Sequence, residues 1–191
     1  MYELLQQNLS RHIRLSPEEF TAFTERVATK TVAKNEHLLQ LGEPCRYTHF
    51  VNKGWLRLYE ITDKGYEKNV LFAKEEWWVS DLYSFHRQKP CMYFLQALEE
   101  TEVFMISKTD LEELLLQIPK LERFWRILHI NAFIAQQERA MHLISKSAED
   151  RYAEFLKKYP NAELRISQRH IASYLGITPE FLSRMKARQK S

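Results

Sequence analysis

The sequence predicts an α+β protein: an antiparallel β-sandwich or barrel followed by a wholly helical C-terminal half. Three observations carry this. Between Thr31 and about Ser107, the runs HLLQL, THFVN, WLRLYEI, KNVLFA, YFLQAL and EVFMIS are separated by turn signals at Gly42-Glu43-Pro44, Lys53-Gly54, Asp63-Lys64-Gly65 and Lys89-Pro90. That spacing belongs to strands joined by short turns, not to βαβ units. After Lys108 the apolar period becomes helical and stays so. Finally, residues 167–186 (SQRHIASYLGITPEFLSRMK) have the residue types that two helices crossing at a tight turn require.

Taken in order, the chain opens with a short helix. Ser16 caps it, Pro17 suits its first turn, Glu19 completes a capping box, and Phe20, Phe23 and Val27 share one face. In the strand region, Trp55, Arg57, Tyr59 and Ile61 alternate with Leu56, Leu58 and Glu60, so the two sets face opposite sides of a sheet. Leu111, Leu114, Leu115 and Ile118 form an amphipathic helix ended by Pro119. A longer helix is expected from about Leu121 to Ser145. On it Ile127, Ile130, Ile134, Gln137, Met141 and Ile144 recur at alternating spacings of three and four, a heptad seam fit for a dimer interface. A second stripe of Phe124, Leu128, Ala132 and Ala135 faces elsewhere. One stripe suits the β-domain and the other a partner helix, although periodicity alone equally allows a helix buried in its own domain. The expected units are therefore residues 1–118, 119–145 and 146–191.

Composition narrows the class. With 45% hydrophobic residues, four glycines and six prolines in 191 residues, the chain has material for a core and too little Gly and Pro for a disordered polymer. No apolar run reaches membrane-spanning length and the N-terminus lacks the pattern of a secretion signal, so a cytoplasmic protein is expected. Cys45 and Cys91 are too few for a disulfide framework or a cysteine-rich metal site, and each reads as a small buried apolar group. Charge is uneven: from Lys146 onward ten Lys and Arg stand against five Asp and Glu, while the first 145 residues hold eighteen against twenty. A cationic C-terminal segment suggests a polyanionic partner.

The segment 167–186 supplies the reader. Ala172 is the small residue where the helices meet, Gly176 serves the turn, and Ile171, Leu175, Ile177, Leu182 and Met185 hold the pair together. Thr178 caps the second helix and Pro179 fits its first turn. Thr178, Glu180, Ser183 and Arg184 then project from the packing side as candidate base contacts. Arg donates two hydrogen bonds to guanine and a carboxylate accepts one from cytosine. The competing reading of Glu180 and Arg184 is a surface ion pair. Arg165, Gln168, Arg169, Lys186 and Arg188 flank the helices as candidate phosphate contacts.

With those residues in place, the chain resembles the Crp/Fnr family of bacterial transcription regulators, especially its Bacteroidetes-type members. The resemblance rests on residues 38–67 (LLQLGEPCRYTHFVNKGWLRLYEITDKGYE) and 167–186. It implies a cyclic-nucleotide-binding-like jelly-roll barrel acting as a sensor, a dimerising helix and a C-terminal helix-turn-helix. The implied partners are double-stranded DNA, a second copy of the chain and RNA polymerase. By position, Ser80-Asp81-Leu82 and Cys91-Met92 fall where cyclic-AMP-binding members carry a Gly-Glu and an Arg-Ser pair. A thiol cannot replace a guanidinium on a phosphate, so an effector other than cyclic AMP is expected if one exists, and no cofactor or metal is assigned. Because the sequence ends at Ser191, wing strands are expected before the reader, around Ala162 to Ile166.

Two other classes compete with this reading. A ligand sensor or protein-interaction module with a vestigial DNA-binding domain would suit a neutral or acidic C-terminal segment, which this is not. A cupin-like enzyme needs inward-facing His and carboxylate clusters, but His37, His49 and His86 are isolated, and no nucleophile motif or phosphate-cradling loop is present.

Overall fold

The structure, a computed structural model, describes residues 1–189. Eight strands form two four-stranded antiparallel sheets. The first sheet runs β1 (Ala28–Val32), β8 (Thr101–Ser107), β3 (Tyr47–Lys53), β6 (Trp78–Val79). The second runs β2 (His37–Leu39), β7 (Phe94–Ala97), β4 (Leu56–Ile61), β5 (Glu67–Ala73). This is a jelly-roll sandwich with open edges rather than a closed barrel. Between the sheets lie Val51 and Val103 from one side and Leu56, Leu58 and Leu95 from the other, all buried, while Phe50 and Phe104, on the opposite face of the first sheet, stack on each other and meet Trp78 and Tyr2.

Two turns require glycine. Gly54, at φ +101°, lies so close to the start of β8 that a Cβ there would stand 2.8 Å from the Thr101 Cα and 2.9 Å from the Glu100 carbonyl oxygen. A side chain at this position would collide with backbone, so β3 reaches β4 only through glycine. Gly176, at φ +73°, closes the helix discussed below in the left-handed conformation.

Helices flank the sandwich. α2 (Pro17–Glu25) starts at Ser16, whose hydroxyl accepts from the Glu19 amide while the Glu19 carboxylate accepts from the Ser16 amide; this is the expected capping box. An earlier helix, α1 (Glu3–Ser10), escaped the sequence reading, although Leu5 and Leu9 four residues apart bury one face against the core. α3 (Leu82–Arg87) interrupts the strands, and α4 (Lys108–Gln117) ends before Pro119. α5 (Lys120–Ser145) follows. Its first turns lie on the sandwich through Leu121, Phe124, Trp125 and Leu128. Among the described residues, no helix is long and apolar enough to cross a membrane.

The C-terminal head comprises α6 (Ala148–Lys158), α7 (Ala162–Arg165), α8 (Gln168–Leu175) and α9 (Pro179–Gln189). It does not have a core to itself. Trp55 just before β4 and Arg57 and Tyr59 on it face away from the sandwich interior, and Trp55, Phe72 and Leu98 enter one apolar cluster with Tyr152, Phe155, Tyr159, Tyr174 and Leu175 of the head. Phe72 meets Tyr159 and Phe155 edge-on at ring centroids of 5.9 and 6.1 Å, the arrangement that aromatic quadrupoles favour. The second sheet is thus covered on both faces where the head lies, and four of the six residues of β4 are buried in succession. The wing strands expected around Ala162 to Ile166 are not there. Ala162–Arg165 is a single helical turn entered from Asn161 at φ +63°, with only Ile166 extended. The buried Ala162 methyl and Ile166 side chain draw this segment into the head instead.

Trp55 is 1% exposed and joins sandwich to head, so Trp55→Ala is expected to destabilise the protein by about 3–5 kcal/mol. Denaturant unfolding followed by circular dichroism measures this. A loss below about 1 kcal/mol, as at surface sites, would mean that the aromatic joint contributes little.

Candidate nucleic-acid interface

The reader is built from local signals. α8 ends at Gly176, and the Ile177 amide donates to the Ala172 carbonyl across the turn at 3.0 Å. α9 is capped by Thr178, whose hydroxyl accepts from the Phe181 amide at 3.2 Å. Ile171, Ala172, Leu175, Leu182 and Met185 are buried between the helices and the rest of the head. With that stripe turned inward, Thr178, Glu180, Ser183 and Arg184 are all exposed on the outer face of α9. No ion pair joins Glu180 to Arg184 among the described residues, so both polar heads face solvent.

The five candidate phosphate contacts separate into two groups. Gln168, Arg169 and Arg188 are exposed. Arg165 and Lys186 are engaged within the protein. The Arg165 guanidinium is ion-paired to Glu75 at 2.8 Å and also to Glu99, and lies over the Trp55 ring at 5.2 Å. Lys186 pairs with Glu163. In this arrangement Arg165 binds the head to the sandwich, so it does not stand as a free phosphate contact.

That joint is dense in polar bonds. Arg57, 3% exposed, donates to Gln96 at 2.8 Å, to Glu67 at 2.6 Å and to Nδ1 of His170 at 3.0 Å, which makes that ring nitrogen the acceptor. The Ser173 hydroxyl donates to the Glu67 carbonyl at 2.7 Å and accepts from the Asn69 amide at 3.0 Å. Arg139 of α5 donates to the carbonyls of Asn69 and Tyr174, both at 3.1 Å. Position His170 had carried no function in the sequence, because its partner Arg57 lies 113 residues away. Burial, and then the charge of Arg57, lower its pKa to about 4.

The seam on α5 is exposed beyond the sandwich: Ile130, Ile134, Met141 and Ile144 show 45%, 45%, 59% and 82% of their surface. Ile127 is half-buried and Gln137 exposed. Phe133, 62% exposed, widens this apolar strip; it lies one residue off the heptad positions, which is why spacing did not select it. The stripe that includes Phe124 and Leu128 faces the sandwich.

The candidate effector cassette is closed upon itself. Asp81, 2% exposed, accepts from the Ser84 amide at 3.0 Å and from the Met92 amide at 3.2 Å. The Cys91 thiol donates to the Gln40 carbonyl at 2.9 Å. Ser84 accepts from the Cys45 amide and donates to the Lys89 carbonyl. Ser80 is buried, while Leu82 and Met92 are exposed. The Asp81 carboxylate therefore occupies the Ser84 amide at the start of α3, where a ligand phosphate would meet a negative charge. These residues do not fit a cyclic nucleotide.

Comparison with known proteins agrees with this architecture. Residues 29–117 match the cyclic nucleotide-binding domain family. The chain is 32% identical over 181 residues to the fumarate and nitrate reduction regulatory protein of Vibrio cholerae, covering 85% of this chain and 69% of that one. It is 30% identical over 177 residues to electron transport regulator A of Shewanella oneidensis, with the same coverage. The chain belongs to the Crp/Fnr family of transcriptional regulators. The fold is shared with FixK2 of Bradyrhizobium japonicum (TM-score 0.76, 21% identity, 85% of this chain and 83% of that one). It is shared too with the c-di-GMP-responsive regulator CLP of Xanthomonas campestris (TM-score 0.72, 15% identity, 92% of each chain). This Crp/Fnr protein is thus a DNA-binding regulator with a cyclic-nucleotide-binding-like sensor domain.

The joint titrates in a defined direction. A histidine whose folded pKa lies below its unfolded value favours the folded state above the unfolded pKa, and that contribution is lost as pH falls. His170 and the fully buried His49, each held near 4, should therefore weaken the protein progressively between about pH 6.5 and pH 4. His170→Asn keeps an acceptor near Arg57 without titrating, and is expected to flatten this dependence by its share. Thermal melts of both proteins across that range measure it; identical slopes would exclude His170.

Proposed function

We propose that the protein acts as a homodimer that recognises a specific, pseudo-palindromic DNA site, with α9 in the major groove and the exposed strip of α5 as the dimer interface. The single observation that carries this reading is the solvent-facing set Thr178, Glu180, Ser183 and Arg184 on a helix whose opposite face is fully packed. Charged heads that form no internal ion pair suit base edges, with Arg184 on guanine and Glu180 on cytosine, and the Thr178 hydroxyl, which accepts from the Phe181 amide, keeps its proton to donate. Gln168, Arg169 and Arg188 neutralise or bond phosphates beside them. Arg165 is withdrawn from that set by its carboxylate partners, and Lys186 joins it only if Glu163 releases the ammonium.

The apolar strip from Ile130 to Ile144 supports the dimer, since solvated Ile, Phe and Met side chains gain by mutual burial. Two heads so joined would meet half-sites about one DNA turn (roughly 34 Å) apart. RNA polymerase is the further partner that this reading carries.

Fluorescence anisotropy with DNA selected from a random pool tests base reading. Arg184→Ala is expected to cost about 1–3 kcal/mol on the preferred site and to relax the preference there. Arg188→Ala should instead weaken all sequences alike and reduce the salt slope by roughly one. Equal affinity of the unmodified protein for every fragment would defeat the reading. Ile134→Glu buries a charge in the proposed seam, so sedimentation should show monomers in place of dimers, and half-site affinity should replace full-site affinity.

A further inference from the structure

A cleft of about 380 Å³ lies between α5, α6 and the C-terminal end of α8, within the size range of small-molecule sites. Its charge is unbalanced. Arg139, Arg151, Lys157 and Lys158 line it against Glu138 and Glu154, and Glu154 already pairs with Lys157 at 3.2 Å and Lys146 at 3.9 Å. Among the described residues no carboxylate lies within ion-pairing distance of Arg139 or Lys158. Arg139 turns its guanidinium over the Tyr174 ring at 4.6 Å, spends Nη2 on two neutral carbonyls, and keeps its Nε buried without an acceptor. Lys158 has only aromatic company, with its Nζ 5.6 Å from the Trp77 ring and 5.5 Å from the Tyr159 ring. Burial, and then the charge of Arg139, lower the pKa of Lys158, with Glu138 opposing. Two neighbouring cations with no ion-paired carboxylate are the reverse of what folding alone favours.

We propose that this cleft binds a small phosphorylated molecule, with its phosphate held between Lys158 and Arg139. A multivalent anion is favoured over a lone carboxylate because the lining carries an excess of two positive charges. A DNA phosphate is the competing source of the same chemistry. It is disfavoured by placement, since the cleft opens at Tyr174 and Leu175 while Gln168 and Arg169 stand at the other end of α8. The site has a built-in consequence. Charge-assisted hydrogen bonds are about twice as strong as neutral ones, so a bound phosphate draws Arg139 from the carbonyls of Asn69 and Tyr174 and loosens the head from β5. That consequence rests on the DNA reading above; the binding itself does not.

The test therefore begins without DNA. Calorimetric titration of the full chain with pyrophosphate, at ionic strength held constant with sodium chloride, should give saturable binding at one site per chain. Lys158→Met should weaken it roughly tenfold or more, as loss of a charge-assisted contact predicts. Glu138→Gln, which removes an opposing carboxylate at the rim, should strengthen it about two- to threefold; this arm remains informative even if Lys158→Met folds poorly. Arg188→Ala on the DNA face should change it less than about twofold. Non-saturating heats, or an affinity indifferent to both Lys158→Met and Glu138→Gln, overturn the proposal. So does an affinity lost in Arg188→Ala and displaced by duplex DNA, which moves the phosphate to the reading face. Anisotropy with target DNA in the presence of pyrophosphate then reads the consequence separately.

Discussion

The structure depends on the docking of the helical head upon the outer face of the second sheet. A jelly roll needs only its inner faces covered, and in such a sandwich the outward set Trp55, Arg57, Tyr59 and Phe72 would ordinarily be polar. Here that set holds a Trp and a Phe in contact with three tyrosine and phenylalanine rings of the head, Phe155, Tyr159 and Tyr174, and it holds an arginine that is buried only because Gln96, Glu67 and His170 receive its donors. Removing water from so many aromatic faces is the principal favourable term. The polar bonds around Arg57, Ser173 and Arg139 then fix one orientation, because each would be left unsatisfied in any other.

This joint gives the reading helix its bearing. α8 rests on β5, Gly176 turns the chain, and α9 leaves with its polar face outward. The orientation of Thr178, Glu180, Ser183 and Arg184 thus follows from the sensor domain directly, and not only through α5. Coupling between sensor and reader needs an element with two arrangements. The groups that hold the present one, Arg57 with His170, Arg165 with Glu75 and Glu99, and Arg139 with two carbonyls, all lie at the same seam.

The cassette near α3 shows the opposite economy. Asp81, Ser84 and Cys91 bond backbone amides and carbonyls of the cassette itself and of Gln40 and Cys45 beside it, and burial raises both thiols, Cys45 to about 11. Neither thiol is a ready nucleophile or metal ligand. The segment that resembles a phosphate-gripping loop has become a packed support for the sheets, which directs attention to clefts elsewhere in the molecule.

The sequence by itself determined the local elements and the family: the capping box at Ser16, the strand alternation of β4, the seam of α5 and the helix-turn-helix about Gly176. Each depends on residues within a few positions of one another, where propensity and periodicity act. Only tertiary structure decided that Trp55 and Phe72 face the head, that Arg165 serves Glu75 and Glu99 instead of projecting freely, that His170 meets Arg57, and that Asp81 also ties down the Met92 amide. In the first three cases the partners lie tens of residues apart, and in the last the bond runs to an amide eleven residues on. A charged side chain in a sequence shows what it can bind; burial and distance determine what it does bind.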